Sequence, residues 1–388
     1  FRNWIHDRLR DRRPIDAMVR DIITAEGSTF TDGPANFYRT GNSAPDWAET
    51  TAQVFLGVRM QCARCHHHPF EKWSQNDYNG MAAFFSQMGT KNSDEFGIFG
   101  QERVVFLKSG PSKSIKPHPL DGKECDDPED RRRLLAEWMT APGNPFFARN
   151  ITNRFWGYLM GRGLVEPLDD MRATNPASIP ELLDALAADF AQNGYDMRRL
   201  LRQIVLSHAY QLSSAGTPAN VYDAQNVYYE HYTVKRLTAE QLADALDQVT
   251  LTQEKYPGLP QGTKAIQLPD NGVRSFLLDL FGRPPRQISC ECERGTQPNI
   301  AQALHLLNGD FLTKKIAAKD GRIQKLLASK TELTASIDEL YLATLGRFPR
   351  AEEAAKASDW VRKATNEREG LHDLMWVLLN SREFLFNH

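Results

Sequence analysis

The sequence predicts an all-α protein, built from two packed helical domains that are joined by a long loop with at most a short strand. Apolar residues recur at helical spacing along most of the chain. Helix start signals are frequent, and strand candidates are very few. With 41% hydrophobic and 10% aromatic residues among 388, the chain can form two domains or one large one.

The first predicted domain covers residues 1–89. Residues 1–11 and 16–26 are predicted amphipathic helices separated by Pro14, and Pro45 opens a third helix. Residues 74–77 form a capping-box-like start for a fourth. The apolar side of this fourth helix carries Met81, Phe84, Phe85 and Met88, and core packing explains these methionines better than metal ligation does.

Residues 90–127 are predicted to be a linker or long loop. This stretch contains Gly, Pro, Ser and Lys, with one strand-like run at Val104 to Leu107. A helical partner domain is predicted over 128–388, and its first helix has an N-terminal signal at residues 127–130. Further helix starts are expected at Ser178, Asp196 and Thr238.

The charge balance argues against a nucleic-acid partner. The chain has 47 basic and 49 acidic residues, with a net charge of -2. It also lacks a run of eighteen apolar residues, so no integral membrane segment is expected in this chain. Phe1-Arg2-Asn3-Trp4 is not a signal peptide, and any export signal is expected upstream.

The segment Cys62-Ala63-Arg64-Cys65-His66 has the pattern of covalent c-type haem attachment. On a helical turn, side chains at i, i+3 and i+4 project from one face. One planar macrocycle could therefore meet both sulfurs of Cys62 and Cys65 and the imidazole of His66. The sequence thus predicts haem c, held by these three residues.

Two alternatives stay open for this segment. Cys-x-x-Cys is also a zinc pattern, so Cys62, Cys65 and one or two of His66, His67 and His68 could hold zinc or iron. His68 precedes Pro69, which turns it away from helical geometry, so it is either a second ligand or a hydrogen-bonding neighbour. The second alternative is a local disulfide.

Cys290 and Cys292 form a second unusual pair. A disulfide between i and i+2 would be strained. They are either two buried thiols or metal ligands that share one functional centre with residues 62–68.

Other polar residues have ordinary explanations at this stage. His305 lies on an apolar helix, which favours a satisfied core histidine over an axial ligand. Asp169 and Asp170 follow Pro167 and are interpreted as turn or cap residues, although paired carboxylates permit acid-base work. The run 131–133, three arginines, is predicted to be a solvated helix face.

Longer motifs surround these residues. In the first half they are Phe55 to Trp73, Asp77-Tyr78 and Ala82 to Phe85. In the second half they are Asp130 to Arg132, Leu135 to Trp138, Asn150 to Gly163, Tyr210 to Ser214, Cys290 to Arg294 and Gln302 to Asn308. Together they resemble the planctomycete cytochrome-like proteins of unknown function, a Cys-x-x-Cys-His domain followed by its partner domain.

The resemblance implies a large exported protein, often with an added N-terminal cytochrome c-like domain, from organisms rich in secreted sulfatases and polysaccharide-degrading enzymes. It favours a periplasmic or cell-surface redox role, possible links to polysaccharide breakdown, and a redox partner protein or upstream cytochrome domain as partner. Relative to that family, this chain begins inside the first domain and is expected to be N-terminally truncated.

The leading functional hypothesis is an exported c-type haem protein, acting in electron transfer or as a haem-dependent oxidoreductase. The first alternative is a non-haem metalloprotein, structural or hydrolytic, whose zinc or iron is held by Cys62, Cys65, His66 or His68, with Cys290 and Cys292 as further ligands. The second alternative is a non-catalytic helical assembly module.

Overall fold

The structure is a computed structural model, and it describes residues 1–97, 100–108, 115–218, 225–268, 271–285, 293–295 and 297–387. These residues form two compact units. Residues 1–233 belong to the first unit, and the described residues from 234 onward belong to the second. The predicted segments 1–89 and 90–127 both lie in the first unit, together with the part of 128–388 that precedes Val234.

The first unit is mainly helical. Its α-helices are α1 (Arg2–Arg10), α2 (Ile15–Ile23), α3 (Ala44–Thr51), α4 (Gln75–Ala83), α5 (Arg131–Thr140), α6 (Phe147–Met160), α7 (Pro180–Gln192) and α8 (Met197–Val205). Two 3-10 helices, Pro34–Thr40 and Gln61–Arg64, and a π-helical turn, Ala52–Leu56, lie between them. Its strands are β1 (Gly27–Ser28), β2 (Met88–Gly97) and β3 (Gly100–Leu107).

The all-α prediction is wrong, because the first unit contains an antiparallel sheet with the order β1-β3-β2. Helix accounts for about 51% of the chain and strand for 6%, so the fold is mixed α and β. In the hairpin, Met88 pairs with Leu107 and Gly97 pairs with Gly100. The strand-like run at residues 104–107 is the end of β3. Its partner β2 is largely polar and has no strand pattern, because cross-strand pairing rather than intrinsic propensity determines this strand.

The signals for helix starts predicted the structure better than the strand patterns did. Ser74 and Asp77 form the predicted capping box at the start of α4, and Asp196 accepts hydrogen bonds from the first turn of α8. Helix α5 begins slightly later than its signal, with Asp130 as the N-cap instead of Asp127.

One hydrophobic core joins the parts of the first unit. Ile23 of α2, Leu56, Phe85, Leu135 of α5 and Phe147 of α6 are all buried in it. Met81 and Met88 lie in the same core, which confirms their predicted packing role. Helices before and after the hairpin therefore bury their apolar faces together.

The second unit has a separate hydrophobic core formed by its own helices. They are α9 (Ala239–Thr250), α10 (Phe276–Leu280), α11 (Ile300–Asn308), α12 (Asp310–Ile316), α13 (Arg322–Ala328), α14 (Leu333–Leu345), α15 (Ala351–Lys363), α16 (Glu367–Leu379) and α17 (Arg382–Leu385). The strands β4 (Lys235–Arg236) and β5 (Phe386–Asn387) pair antiparallel, and Thr238 and Gln241 form the expected capping box of α9.

Candidate functional site

The chain reaches the Cys-x-x-Cys-His segment through a sharp turn at Gly57. Helix α3 continues into the π-helical turn, which ends at Gly57 with φ of 70°. A Cβ atom at this position would lie 2.5 Å from Met171 Cγ and 2.7 Å from Asn150 Oδ1. Glycine is needed here both for the left-handed backbone and for the close approach of these side chains.

The two cysteines lie on an exposed turn. Residues Gln61–Arg64 form a single 3-10 turn, in which side chains three apart are nearly eclipsed. The buried Ala63 anchors the turn, whereas Cys62, Cys65 and His66 are exposed. Both thiols are free. The turn therefore presents two sulfurs and an imidazole to the outside, although its helix is 3-10 instead of α.

Hydrogen bonds distinguish His66 from His68. Nδ1 of His66 lies 2.6 Å from the carbonyl oxygen of His67, so Nδ1 donates, and in the neutral ring Nε2 keeps its lone pair. Nδ1 of His68 instead accepts from the backbone N–H of Phe70 at 3.2 Å. In the neutral ring this places the proton of His68 on Nε2. In their neutral forms the two rings are thus opposite tautomers, with the lone pair on Nε2 in His66 and on Nδ1 in His68.

The loop after the motif is closed by a backbone hydrogen bond, in which the His68 N–H donates to the Trp73 carbonyl at 2.9 Å. Trp73 is buried, and its ring centroid lies 6.2 Å from that of Phe146 at the start of α6. The Lys72 ammonium lies 4.8 Å from the Trp73 ring and 2.5 Å from the Asp121 carboxylate. These contacts therefore hold residues 68–73 against the rest of the first unit.

A cleft of about 1690 Å³ opens beside this turn. Cys62 and His68 line one side, and residues 170–177 line another. The exposed ring of Phe70 and the rings of Trp73 and Phe146 also face the cleft. Its volume exceeds the range of about 300–1,000 Å³ that is usual for ligand sites, and neither Cys65 nor His66 lines it.

Four cationic side chains also line the cleft: Arg59, Lys72, Arg149 and Arg172. Each has a carboxylate partner, respectively Asp169, Asp121, Asp184 and Asp170. The cleft therefore combines apolar and aromatic walls with cations whose charges are already compensated.

A buried polar network supports the motif turn from beneath. Asp169 is fully buried and accepts hydrogen bonds from Arg59 and, at 2.6 Å, from Nε2 of Gln53. Gln61, the first residue of the motif turn, donates to Oε1 of Gln53 at 3.1 Å. Asp169 is therefore more than the turn residue inferred from the sequence, because it links the motif turn to the loop after α6.

The Met171 N–H donates to the Gly57 carbonyl at 2.9 Å, which ties the 170–177 wall to the turn. No local pattern in the sequence indicates a role for Gln53, Arg59 or Gln61. Asp169, the partner of Gln53 and Arg59, lies more than a hundred positions away from both, and such pairings cannot be read from spacing.

Arg131 and Arg132 are buried, so their prediction as a solvated face is wrong. The guanidinium of Arg132 pairs with Asp130 at 2.9 Å and donates to the Ala25 carbonyl at 2.8 Å. Arg131 pairs with Asp126 at 2.7 Å. Buried charges require such partners. Here the carboxylates come from the residues just before α5, and the carbonyl comes from the segment that follows α2.

Cys290 and Cys292 lie outside the described residues, so their predicted share in this centre stays a prediction. Over the part of the chain that the structure covers, no group of three or more His, Cys, Asp or Glu side chains has an arrangement that would hold a metal ion. A bare metal at the motif would need a further ligand besides Cys62, Cys65 and His66, or a rearranged turn.

Comparison with known proteins gives two family matches. The profile of PSD1, a protein of unknown function (DUF1553), matches residues 131–361, which is more than half of the chain. The chain belongs to the PSD1 family. The profile of PSCyt2, a protein of unknown function (DUF1549), matches residues 1–90. Both are planctomycete cytochrome-like families, so the predicted resemblance is confirmed at this level.

No curated protein and no solved structure matches this PSD1-family chain. The motif turn lies in the part matched by PSCyt2, whereas α6 and the 170–177 wall lie in the part matched by PSD1. The cleft is thus formed by residues from both matched segments within one compact unit. Among the described residues, no helix is both long and apolar enough to cross a bilayer.

Proposed function

We propose that this PSD1-family protein is an exported c-type haem protein that acts in electron transfer or as a haem-dependent oxidoreductase. In this proposal the sulfurs of Cys62 and Cys65 form the thioether bonds, and Nε2 of His66 is the iron ligand. Bound haem would supply one-electron redox chemistry. Such attachment takes place outside the cytoplasm, so the proposal includes a periplasmic or cell-surface location and a redox partner protein.

The observation that carries the proposal is the state of His66. Its Nδ1 donates to a backbone carbonyl, and its exposed ring follows directly after two exposed free thiols. A carbonyl partner on the second ring nitrogen is the usual support for a metal-binding histidine, since it fixes the tautomer and raises the basicity of the ligating nitrogen. The residues present therefore fit the predicted group.

The cleft beside the turn, which Cys62 lines but Cys65 and His66 do not, offers walls for part of a macrocycle. Phe70, Trp73 and Phe146 offer aromatic surface, and the apolar wall includes Val58 and Val165. Arg172 and Lys72 also line the cleft, but each is already paired with an aspartate, so a haem carboxylate would have to share or replace that partner. In this role the protein's own side chains orient the group and limit the access of water.

The alternative is a non-haem metalloprotein, structural or hydrolytic, in which Cys62, Cys65 and either His66 or His68 hold zinc or iron, with Cys290 and Cys292 as further ligands. Absorption and metal analysis separate the two. We expect the full chain, produced in a periplasm with a c-type maturation system, to show a Soret band that survives acid-acetone extraction. A colourless protein with one zinc per chain would contradict the haem proposal.

Variants test the assigned residues. Cys62→Ser and Cys65→Ser should lose the covalently bound pigment, because each removes one sulfur. Cys125→Ser is the matched control: its thiol is half-buried, contacts the Pro117 carbonyl and should leave the pigment unchanged. Full pigment content in both Cys62→Ser and Cys65→Ser would exclude haem c.

The two histidines give a second comparison. His66→Ala should shift the Soret band, because the iron loses its protein ligand, whereas His68→Ala should leave the band in place. The reverse result would move the ligand assignment to His68.

A further inference from the structure

The second unit contains a small cavity that plays no part in the proposed haem site. Its volume is about 250 Å³, and it lies among α9, the loop after it, and the helices α10, α11 and α12. We name it the His305 cavity. Its lining includes His305, Tyr256, Arg274, Phe276 and Phe311.

One wall of the His305 cavity is aromatic. The imidazole of His305 lies between Phe276 and Phe311. Its ring centroid is 5.2 Å from that of Phe276, with the planes inclined by 63°, and 5.8 Å from that of Phe311, with the planes inclined by 28°. Phe276 is 70% exposed, so this wall reaches the surface. Ring faces and edges arranged in this way favour a planar aromatic guest.

Two polar groups in the cavity lack partners. Nε2 of His305 is buried without a hydrogen bond, although the sequence favoured a satisfied core histidine. The Tyr256 hydroxyl also forms no hydrogen bond to any described residue. Burial raises the pKa of Tyr256 and lowers the pKa of His305, so the phenol keeps its proton and the imidazole is neutral near pH 7. An unpaired buried polar atom is costly, and a ligand that pairs with it recovers that cost.

The charges at the cavity favour an anion. Lys315 is already compensated, because its ammonium lies 2.5 Å from Asp247 and 3.2 Å from Glu254. Arg274 and Lys255 also line the cavity, and neither has an ion-pair or hydrogen-bond partner in the described part of the chain. Three cations against two carboxylates leave one positive charge in excess.

From this combination we infer that the His305 cavity binds a small aromatic carboxylate of the size of benzoate. The guanidinium of Arg274 pairs with the carboxylate, because its fork geometry suits two parallel hydrogen bonds. The ring lies against Phe276 and His305, and a polar substituent on it meets Nε2 of His305 or the Tyr256 hydroxyl. This site does not depend on the proposed haem site.

Calorimetric titration of the full chain with benzoate tests the inference. We expect one saturable site per chain, with a Kd of about 1 mM or below. Benzamide lacks the charge and acetate lacks the ring, so each should bind at least about tenfold more weakly, as expected for the loss of a charge-assisted hydrogen bond or of the stacked ring. Titration of benzoate without saturation at about 10 mM, well above that Kd, would overturn the inference.

Variants then locate the site. Arg274→Gln should weaken benzoate binding about tenfold or more, and because the side chain is exposed the variant should fold normally. Lys319→Gln removes the same charge from an exposed position that does not line the cavity, and should change the Kd less than about twofold. Equal weakening in both would show general electrostatic attraction and refute the assigned site. His305→Phe keeps an aromatic ring at this position but removes Nε2. A hydroxybenzoate has a hydroxyl that can reach Nε2, so this variant should bind hydroxybenzoate about 2–10-fold more weakly than the unchanged protein does.

Discussion

Replacing Asp169 by alanine tests whether the buried network supports the motif turn. Asp169 accepts hydrogen bonds from Gln53 and Arg59, and its removal leaves the Gln53 amide unpaired inside the first unit. An unsatisfied buried amide costs about 1–3 kcal/mol. The side chain of Arg59 is 33% exposed and can turn toward water, so the lost ion pair adds only about 1 kcal/mol.

The expected loss for Asp169→Ala is therefore about 2–4 kcal/mol in the free energy of unfolding, the sum of the two contributions. For a unit of this size that corresponds to a decrease in Tm of about 4–16 °C. Tryptophan fluorescence is a suitable probe, because residues 1–233 hold five of the seven tryptophans.

The matched control is Asp184→Ala, which removes the same side chain from an exposed pair with Arg149. Surface ion pairs of this kind contribute about 0–1 kcal/mol, so the control should lower the Tm by only a few degrees. A decrease for Asp169→Ala no larger than that of Asp184→Ala would refute the structural role assigned to Asp169.

Two further substitutions have equally direct outcomes. In denaturant titrations, Gly57→Ala should reduce the free energy of unfolding more than Gly346→Ala does. Both glycines have φ near 70°, but only at Gly57 would a Cβ atom lie 2.5 Å from Met171. Equal losses in the two variants would argue against the close approach at Gly57. The Arg347 guanidinium lowers the pKa of Glu353 to about 2 from 4.5, so this carboxylate stabilises the second unit above pH 4.5 and loses that effect as the pH falls toward 2. Glu353→Gln should flatten the acid side of the stability curve, and an unchanged curve would contradict the assigned pair.

The sequence predicted features that depend on neighbours a few positions apart. The capping boxes at Ser74 and Thr238 need only two residues three positions apart, and the structure has both. The exposed Cys-x-x-Cys-His turn likewise consists of residues that are adjacent in the sequence, so its pattern could be recognised there. Strand β2 was missed because its residues have no strand pattern, and only pairing with β3 makes them extended.

The cleft beside the motif could not be predicted in this way. Its far wall, residues 170–177, follows the motif by about a hundred positions. The backbone hydrogen bond from Met171 to Gly57 joins this wall to the turn, and it cannot be inferred from the spacing of residues in the sequence. Gly57 is the one residue whose type reflects this contact. An isolated glycine at the end of a helix is commonly a C-cap, however, so its second role in admitting Met171 could be recognised only in three dimensions.

The arginines at 131–133 show how one sequence pattern can lead to different environments. Arg133 is exposed, whereas Arg131 and Arg132 are buried. A run of charges predicts a solvated face because burying a charge is costly. Two carboxylates just before the run, Asp126 and Asp130, remove most of that cost by pairing with the buried pair of arginines. A charge run preceded by carboxylates is therefore a weaker indication of exposure than an isolated run. Here Arg132 joins α5 to the segment that follows α2, and Arg131 joins α5 to the end of α4 and the segment that follows it, so both help to hold together the unit that contains the motif turn.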